Sequence, residues 1–87
     1  MKDFLKINSA DNVAVAINPL AKGTVVTVDG AGDVTLVSDI PAGHKFALKD
    51  IAEGENVIKY GFPIGHARHA VARGQFLDHN DIKTNLE

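Results

Sequence analysis

Ile40-Pro41-Ala42-Gly43-His44-Lys45-Phe46 is one of four passages in this 87-residue chain written to the same rule. The rule is an aliphatic residue, Ala or Pro, any residue, Gly, two more residues, then an apolar one. The other copies are Leu20-Ala21-Lys22-Gly23 leading to Val26, Ile51-Ala52-Glu53-Gly54 leading to Val57, and Val71-Ala72-Arg73-Gly74 leading to Leu77. Each predicts a buried aliphatic anchor, a tight turn with glycine at positive φ, and the first inward residue of a strand. The glycines fall at 23, 43, 54 and 74, so their separations of 20, 11 and 20 residues are symmetric about the middle. Two copies of one hairpin-like half would leave that spacing, whereas a solenoid needs equal steps. Only the second copy sets a histidine directly after its glycine.

Working outward, apolar residues alternate or run in short bursts between turn residues. Phe4–Ile7, Val13–Ile17, Thr24–Val28, Val34–Val37, Phe46–Leu48, Asn56–Tyr60 and Gln75–Leu77 read as short strands. The β-branched runs on either side of Asp29-Gly30-Ala31-Gly32-Asp33 predict a hairpin. In Val13–Ile17 one face carries Val13, Val15 and Ile17 and the other only alanines, which suggests an outward face closely approached by another sheet or by a partner. On that face rests an expectation of self-association into a homo-oligomer. His66–Ala72 is bracketed by Gly65 and Gly74, too short for a stable helix, and reads as a strand or single turn; Lys49–Ala52 could form one helical turn. Frequent glycine turns between such short strands argue an all-β roll or barrel. The chain is one domain, 1–87, with a polar C-terminal tail from about residue 78 to 87.

Composition excludes several classes of function. Nine basic residues against 11 acidic ones give a net charge of −2, which argues against a nucleic-acid surface. No uncharged stretch approaches the ~20 residues of a membrane span, and Met1–Lys6 has too few apolar residues for a signal peptide. Cysteine is absent, so disulfides and thiolate ligands are excluded. A cytoplasmic protein is the expectation. With aromatics at 6% and no Trp, the core must be built from Val, Ile, Leu and Ala.

The residues able to carry chemistry are few. No nucleophile–base arrangement or specific metal motif is recognisable. His66 and His69 stand three apart without a flanking carboxylate and read as solvated surface histidines. His44 sits on a turn fixed by Gly43, next to Lys45, and suits either recognition of an anionic, hydroxylated ligand or ligation of a metal that binds one; a structural histidine is the competing reading. In the tail, His79 and Asn80 stand among further hydrogen-bonding groups of the kind that hold sugar acids, with Asp78 and Asp81 as added candidate metal ligands and a frayed terminus as the plain alternative. A catalytic role would require a site completed by another chain or domain.

Four stretches carry a resemblance: Asp11–Ala16, Ile40–Leu48 with its Gly-His-Lys-x-Ala-Leu, Val57–Gly65 with Ile-Lys-Tyr-Gly-x-Pro-Ile-Gly, and His79-Asn80 leading to Thr84-Asn85-Leu86. In succession they resemble the small N-terminal SAF domain of altronate dehydratases, and also that of galactarate dehydratases and the small subunit of sulfolactate sulfo-lyases. The resemblance implies a β-clip fold and a hydro-lyase of sugar-acid catabolism that converts D-altronate to 2-keto-3-deoxy-D-gluconate with Fe(2+) or a similar divalent metal. It implies a large catalytic subunit or domain as partner and a sugar acid as substrate. On that reading His44 contributes to a shared site as acid/base, metal ligand or substrate contact, Lys45 meets the substrate carboxylate, and His79 and Asn80 close the pocket. The alternatives are a non-catalytic sugar-acid-binding or oligomerisation module, or the small subunit of a sulfolactate or galactarate lyase. His66–Ala70 is more basic than the family pattern at that point.

Overall fold

The computed structural model describes residues 3–84. Among these the chain forms nine short strands and no helix: β1 (Phe4–Leu5), β2 (Val13–Ala16), β3 (Val25–Val28), β4 (Gly32–Thr35), β5 (Lys45–Ala47), β6 (Asn56–Lys59), β7 (Phe62–Ala67), β8 (Phe76–Leu77) and β9 (Ile82–Thr84). All pairings are antiparallel, in a central sheet β1-β2-β5-β8, a hairpin β3-β4 and a flanking sheet β6-β7-β9. The predicted all-β architecture is present, and the expected hairpin closes around Asp29-Gly30-Ala31.

The four turns of the sequence rule are geometrically equivalent. Leu20 and Ile40 exchange backbone hydrogen bonds of 2.9 and 2.8 Å, and Ile51 and Val71 do the same at 2.9 and 2.8 Å. All four anchors are buried. Each turn glycine then donates its N–H to the carbonyl four residues before the opposite anchor: Gly23 to Leu36, Gly43 to Ala16, Gly54 to Ala67 and Gly74 to Ala47, each at 2.8 Å. The same four carbonyl-bearing residues donate back across the half, for example Ala16 N–H to His44 at 2.9 Å and Ala47 N–H to Gln75 at 3.0 Å. All four glycines have positive φ, between 81° and 90°. The chain is thus two similar halves, 20–40 and 51–71, as the symmetric spacing predicts.

β2 and β5 divide their side chains between two cores. Ala14, Ala16 and Phe46 pack with Leu20, Val26, Val28, Val34, Leu36 and Ile40, while Val13, Ala47 and Leu77 pack with Ile51, Val57, Ala67, Val71 and Ile82. The central sheet therefore has the β3-β4 hairpin on one side and β6-β7-β9 on the other. This corrects the reading of the alanine face. Ala14 and Ala16 are 1% and 0% exposed, because their short side chains let the chain's own hairpin pack against the sheet. The face is not available to a second copy, and the argument for self-association that rested on it falls. Lys49–Ala52 is not helical either: Asp50 Oδ1 instead accepts the Arg73 N–H at 2.8 Å and Ile51 enters its bridge.

Part of the stretch after Leu77 forms regular structure. A turn at Asp78–Asp81 leads into β9, which pairs Ile82 with Ala67 and Thr84 with Gly65. Asn85, Leu86 and Glu87, part of the tail and of the quoted ending, lie outside the described residues, as do Met1 and Lys2.

The fourth turn also fastens one half to the other. Gly74 accepts the Val37 N–H at 3.1 Å, Phe76 N–H reaches Ser38 Oγ at 2.9 Å, and Arg73 Nη2 donates to the Asp33 carbonyl at 2.9 Å. A Cβ at Gly74 would collide with the Thr35 carbonyl, whereas nothing lies within 4 Å of a Cβ at Gly23. Gly23→Ala should therefore cost about 1–2 kcal/mol for the left-handed backbone alone, and Gly74→Ala distinctly more. Urea unfolding of the two variants checks this, and equal midpoints would refute a tight seam at Gly74.

Candidate functional site

Glycine at 43 lets the chain reverse into β5 and fixes the backbone of the next residue. His44 N–H donates to Pro41 O at 3.2 Å and its carbonyl accepts the Ala16 N–H at 2.9 Å. Lys45 then stands between Val15 on β2 and Leu77 on β8, and Phe46 between Ala14 and Phe76. Continuing that register by one residue sets His44 opposite Asp78, where β8 runs into the Asp78-His79-Asn80-Asp81 turn. The antiparallel pairing thus brings His44, Lys45, His79 and Asn80, distant in sequence, to one corner of the central sheet. Their side chains do not all converge. The His44 ring is exposed and rests edge-on against Phe76, with centroids 5.3 Å apart and planes at 81°, while Lys45, the next residue in an extended chain, leaves from the other face.

Lys45 is half-buried. Burial lowers the pKa of its ammonium, the charge of Lys59 at the end of β6 lowers it further, and Asp78 opposes both. An ammonium short of water and pressed by a second cation gains from an incoming anion. His79 and Asn80 are exposed at the turn tip. Their backbone is set by two aspartates: Asp78 Oδ1 accepts the Asn80 N–H at 2.8 Å, and Asp81 Oδ2 accepts the Asp78 N–H at 3.0 Å. Both aspartates have structural duties here.

The same turn occurs earlier in the chain. At Asn8-Ser9-Ala10-Asp11, Asn8 Oδ1 accepts the Ala10 N–H at 2.9 Å and Asp11 Oδ2 accepts the Asn8 N–H at 3.0 Å. The shared spacing, Asx-x-x-Asp before a strand, was the signal by which sequence reading could have recognised both as capped turns. In the first, the buried Asp11 carboxylate also accepts the Gly61 N–H at 2.8 Å. Burial pushes its pKa up, but backbone hydrogen bonds from Gly61, Asn8, Tyr60 and Ile7 outweigh this and hold it below the ordinary value. Asn12 acts as a surrogate peptide group: its Oδ1 accepts the Ile58 N–H at 2.7 Å and its Nδ2 donates to Asn56 O at 2.9 Å, at the bulge of β6. The Asp11-Asn12 pair is therefore structural.

His69 differs from the solvated histidine expected. A carboxylate reaches it from 12 residues away: Nε2 is 2.7 Å from Asp81 Oδ1, and Nδ1 is 3.0 Å from the Ala70 carbonyl. Both nitrogens face acceptors, which suits the protonated ring, and its pKa is raised by the Ala70 carbonyl and then by Asp81. His66 lies in β7, opposite Asn56 and Lys83.

Among the described residues no three His, Asp or Glu side chains converge to hold a metal ion. The neighbour of the His44 ring is the Phe76 ring, which supplies no second ligand. The described residues alone do not make an Fe(2+) site. No helix among the described residues is long and apolar enough to cross a membrane.

A small β-domain of two clipped halves, with a histidine-lysine corner at the mouth of its central sheet, is the class this geometry defines. Residues 2–85 match the altronate/galactarate dehydratase SAF domain, and the chain belongs to that family. It is 53% identical over 83 residues to the altronate dehydratase of Escherichia coli (strain K12), covering 95% of this chain and 17% of that protein. The galactarate dehydratase (L-threo-forming) of the same organism is 39% identical over 91% of this chain and 15% of its own length. The (2R)-sulfolactate sulfo-lyase subunit alpha of Chromohalobacter salexigens is 31% identical, with 94% of both chains covered. The chain spans about a sixth of the length of the dehydratases it matches.

Because the folded Asp11 carboxyl has a pKa below its unfolded value of about 3.9, the native state holds fewer protons between the two values. Its stabilisation should be complete above about pH 4 and vanish as pH falls through the lower folded pKa. Asp11→Asn, which leaves one backbone N–H facing an amide NH2, should lose about 1–3 kcal/mol at neutral pH. Urea midpoints of the two proteins should converge on acidification; a gap independent of pH would contradict the assignment. For His69 the sign is opposite: its NMR titration should lie above about 6.5 and fall back in Asp81→Asn.

Proposed function

We propose that this chain is the small SAF unit of a sugar-acid dehydratase of the altronate type, forming one wall of a site whose larger part belongs to another domain or subunit. The observation that carries this reading is the 53% identity to an altronate dehydratase over 95% of the chain. The corner geometry agrees with it: a rigidly mounted imidazole, a half-buried ammonium beside a second one, and a turn of hydrogen-bonding groups stand at one edge of the sheet.

Dehydration of a sugar acid removes the proton on the carbon beside the carboxylate and expels the hydroxyl of the neighbouring carbon as water. The resulting enol becomes a 2-keto acid. Lys45, assisted by Lys59, holds the carboxylate, and that charge pairing favours the carbanionic character that develops next to it. His44, on the opposite face of the sheet, reaches the substrate around the sheet edge and moves a proton to or from it. His79 and Asn80 bind substrate hydroxyls through their exposed polar groups. A divalent metal in the complete enzyme would polarise the leaving hydroxyl, with His44 as the candidate ligand from this chain.

The test is a chimera in which this chain replaces the matched 83 residues of the E. coli altronate dehydratase. It should form the 2-keto acid from altronate. His44→Ala in the chimera should lower kcat by about 10²–10⁴-fold, the range of general acid–base catalysis, and Lys45→Met should raise KM at least tenfold. A folded, assembled chimera without turnover overturns the reading, and unchanged turnover in His44→Ala turns the domain into a non-catalytic module. The same exchange into the galactarate dehydratase shows which acid this chain favours.

A further inference from the structure

Strands β6 and β7 are joined by Tyr60 and Gly61, both at positive φ, 56° and 76°. Two-residue hairpins of this kind favour Asn-Gly or Asp-Gly, since a bulky first residue is strained there. The tip is not loose. Gly61 N–H is held by the buried Asp11 carboxylate at 2.8 Å, and the Asn8 side chain packs against Gly61. Of the five aromatic residues, Phe4, Phe46 and Phe76 belong to or pack on the core. The other two stand at this tip, Tyr60 at 51% and Phe62 at 71% exposure, with Lys59 Nζ 4.8 Å from the centre of the Tyr60 ring. Strain and fixed backbone are thus combined with the most solvent-exposed aromatic surface among the described residues.

We propose that Lys59-Tyr60-Gly61-Phe62 is the docking point through which this domain seats on the larger unit of the dehydratase, a proposal that rests on the reading of the chain as a small SAF unit. Two arguments select that occupant. The domain matches 17% and 15% of two single-chain dehydratases but 94% of a sulfo-lyase subunit. The same unit therefore exists both within a long chain and as a polypeptide of its own, and in the second form a surface must hold it to its partner. Rigid exposed aromatics are the groups that anchor such surfaces. The second argument is position. Lys59 begins the tip, and β6 is bonded to the start of β2 through Ile58 and Asn12, so a body seated on Tyr60 and Phe62 lies on the side of the central sheet that carries Lys45. A second copy fits less well, since two protruding tips bury far less than the roughly 800 Å² per partner of a stable contact.

Hydroxyl-radical footprinting of this chain alone and within the dehydratase chimera tests the proposal. Tyr60 and Phe62 should be at least tenfold less reactive in the chimera, with the exposed Val25 as an internal comparison. Equal reactivity overturns it, as does protection in the isolated chain that grows with concentration, which would assign the tip to a second copy. In the chimera, Tyr60→Asn with Phe62→Ser should lower altronate turnover at least tenfold, while the unfolding midpoint of the isolated double variant stays unchanged or rises, Asn being the favoured turn residue. Undiminished turnover overturns the proposal. A wild-type chimera that is inactive yet protects the tip counts against the dehydratase reading and for the docking surface.

Discussion

In each half a turn glycine gives its amide hydrogen to a carbonyl four residues before the opposite anchor, and the two anchors bond to each other beside it. A fold with no helix among the described residues, whose longest described strand is six residues, has few other ways to satisfy buried backbone groups. These crossings fix where each strand begins, because the next strand starts two residues after each glycine. They also fix register. Once Leu20 lies against Ile40 and Ile51 against Val71, the inward and outward residues of the short strands are decided, and the two cores fill with small aliphatic side chains.

The candidate corner depends on that arrangement. Gly43 sets the direction in which the chain enters β5, and the β5–β8 pairing carries Asp78 and its turn to the same place. The ornamented turn is thus also the one whose strand lies between two neighbours, with β2 on one side and β8 on the other. His44 and Lys45 inherit rigid backbone from this position while their side chains keep different surroundings, an aromatic ring for one and a field of charges for the other. A site that uses both must be formed by something that wraps the edge of the sheet, in keeping with a chain that matches only a sixth of its dehydratase relatives.

Much of this was legible in the residues because turn chemistry is local. The four glycines, their symmetric spacing and the Asp29–Asp33 hairpin needed only the rules of backbone conformation. What alternation could not reveal was which face of a strand is covered. Val13–Ala16 reads as one-sided, yet it is buried on both sides, since the hairpin that covers the alanines comes from farther along the chain. The long-range polar contacts were likewise silent. Nothing beside Asn12 announces that its amide will complete β6, nor beside His69 that Asp81 will reach it. The tail looked polar because β9 contributes one buried residue, Ile82, and otherwise exposes its side chains.

Strand β5 lies between the two halves and joins them. Ile40, a few residues before it, closes the first, and Ile51, a few residues after it, closes the second, with only 10 residues between the two anchors. Neither half can therefore be released while the other stays intact, since letting go of either anchor pulls on the same short segment. The internal symmetry invites division into two modules, but the strand that joins them makes the domain a single cooperative unit. A partner that grips one half senses the integrity of the other.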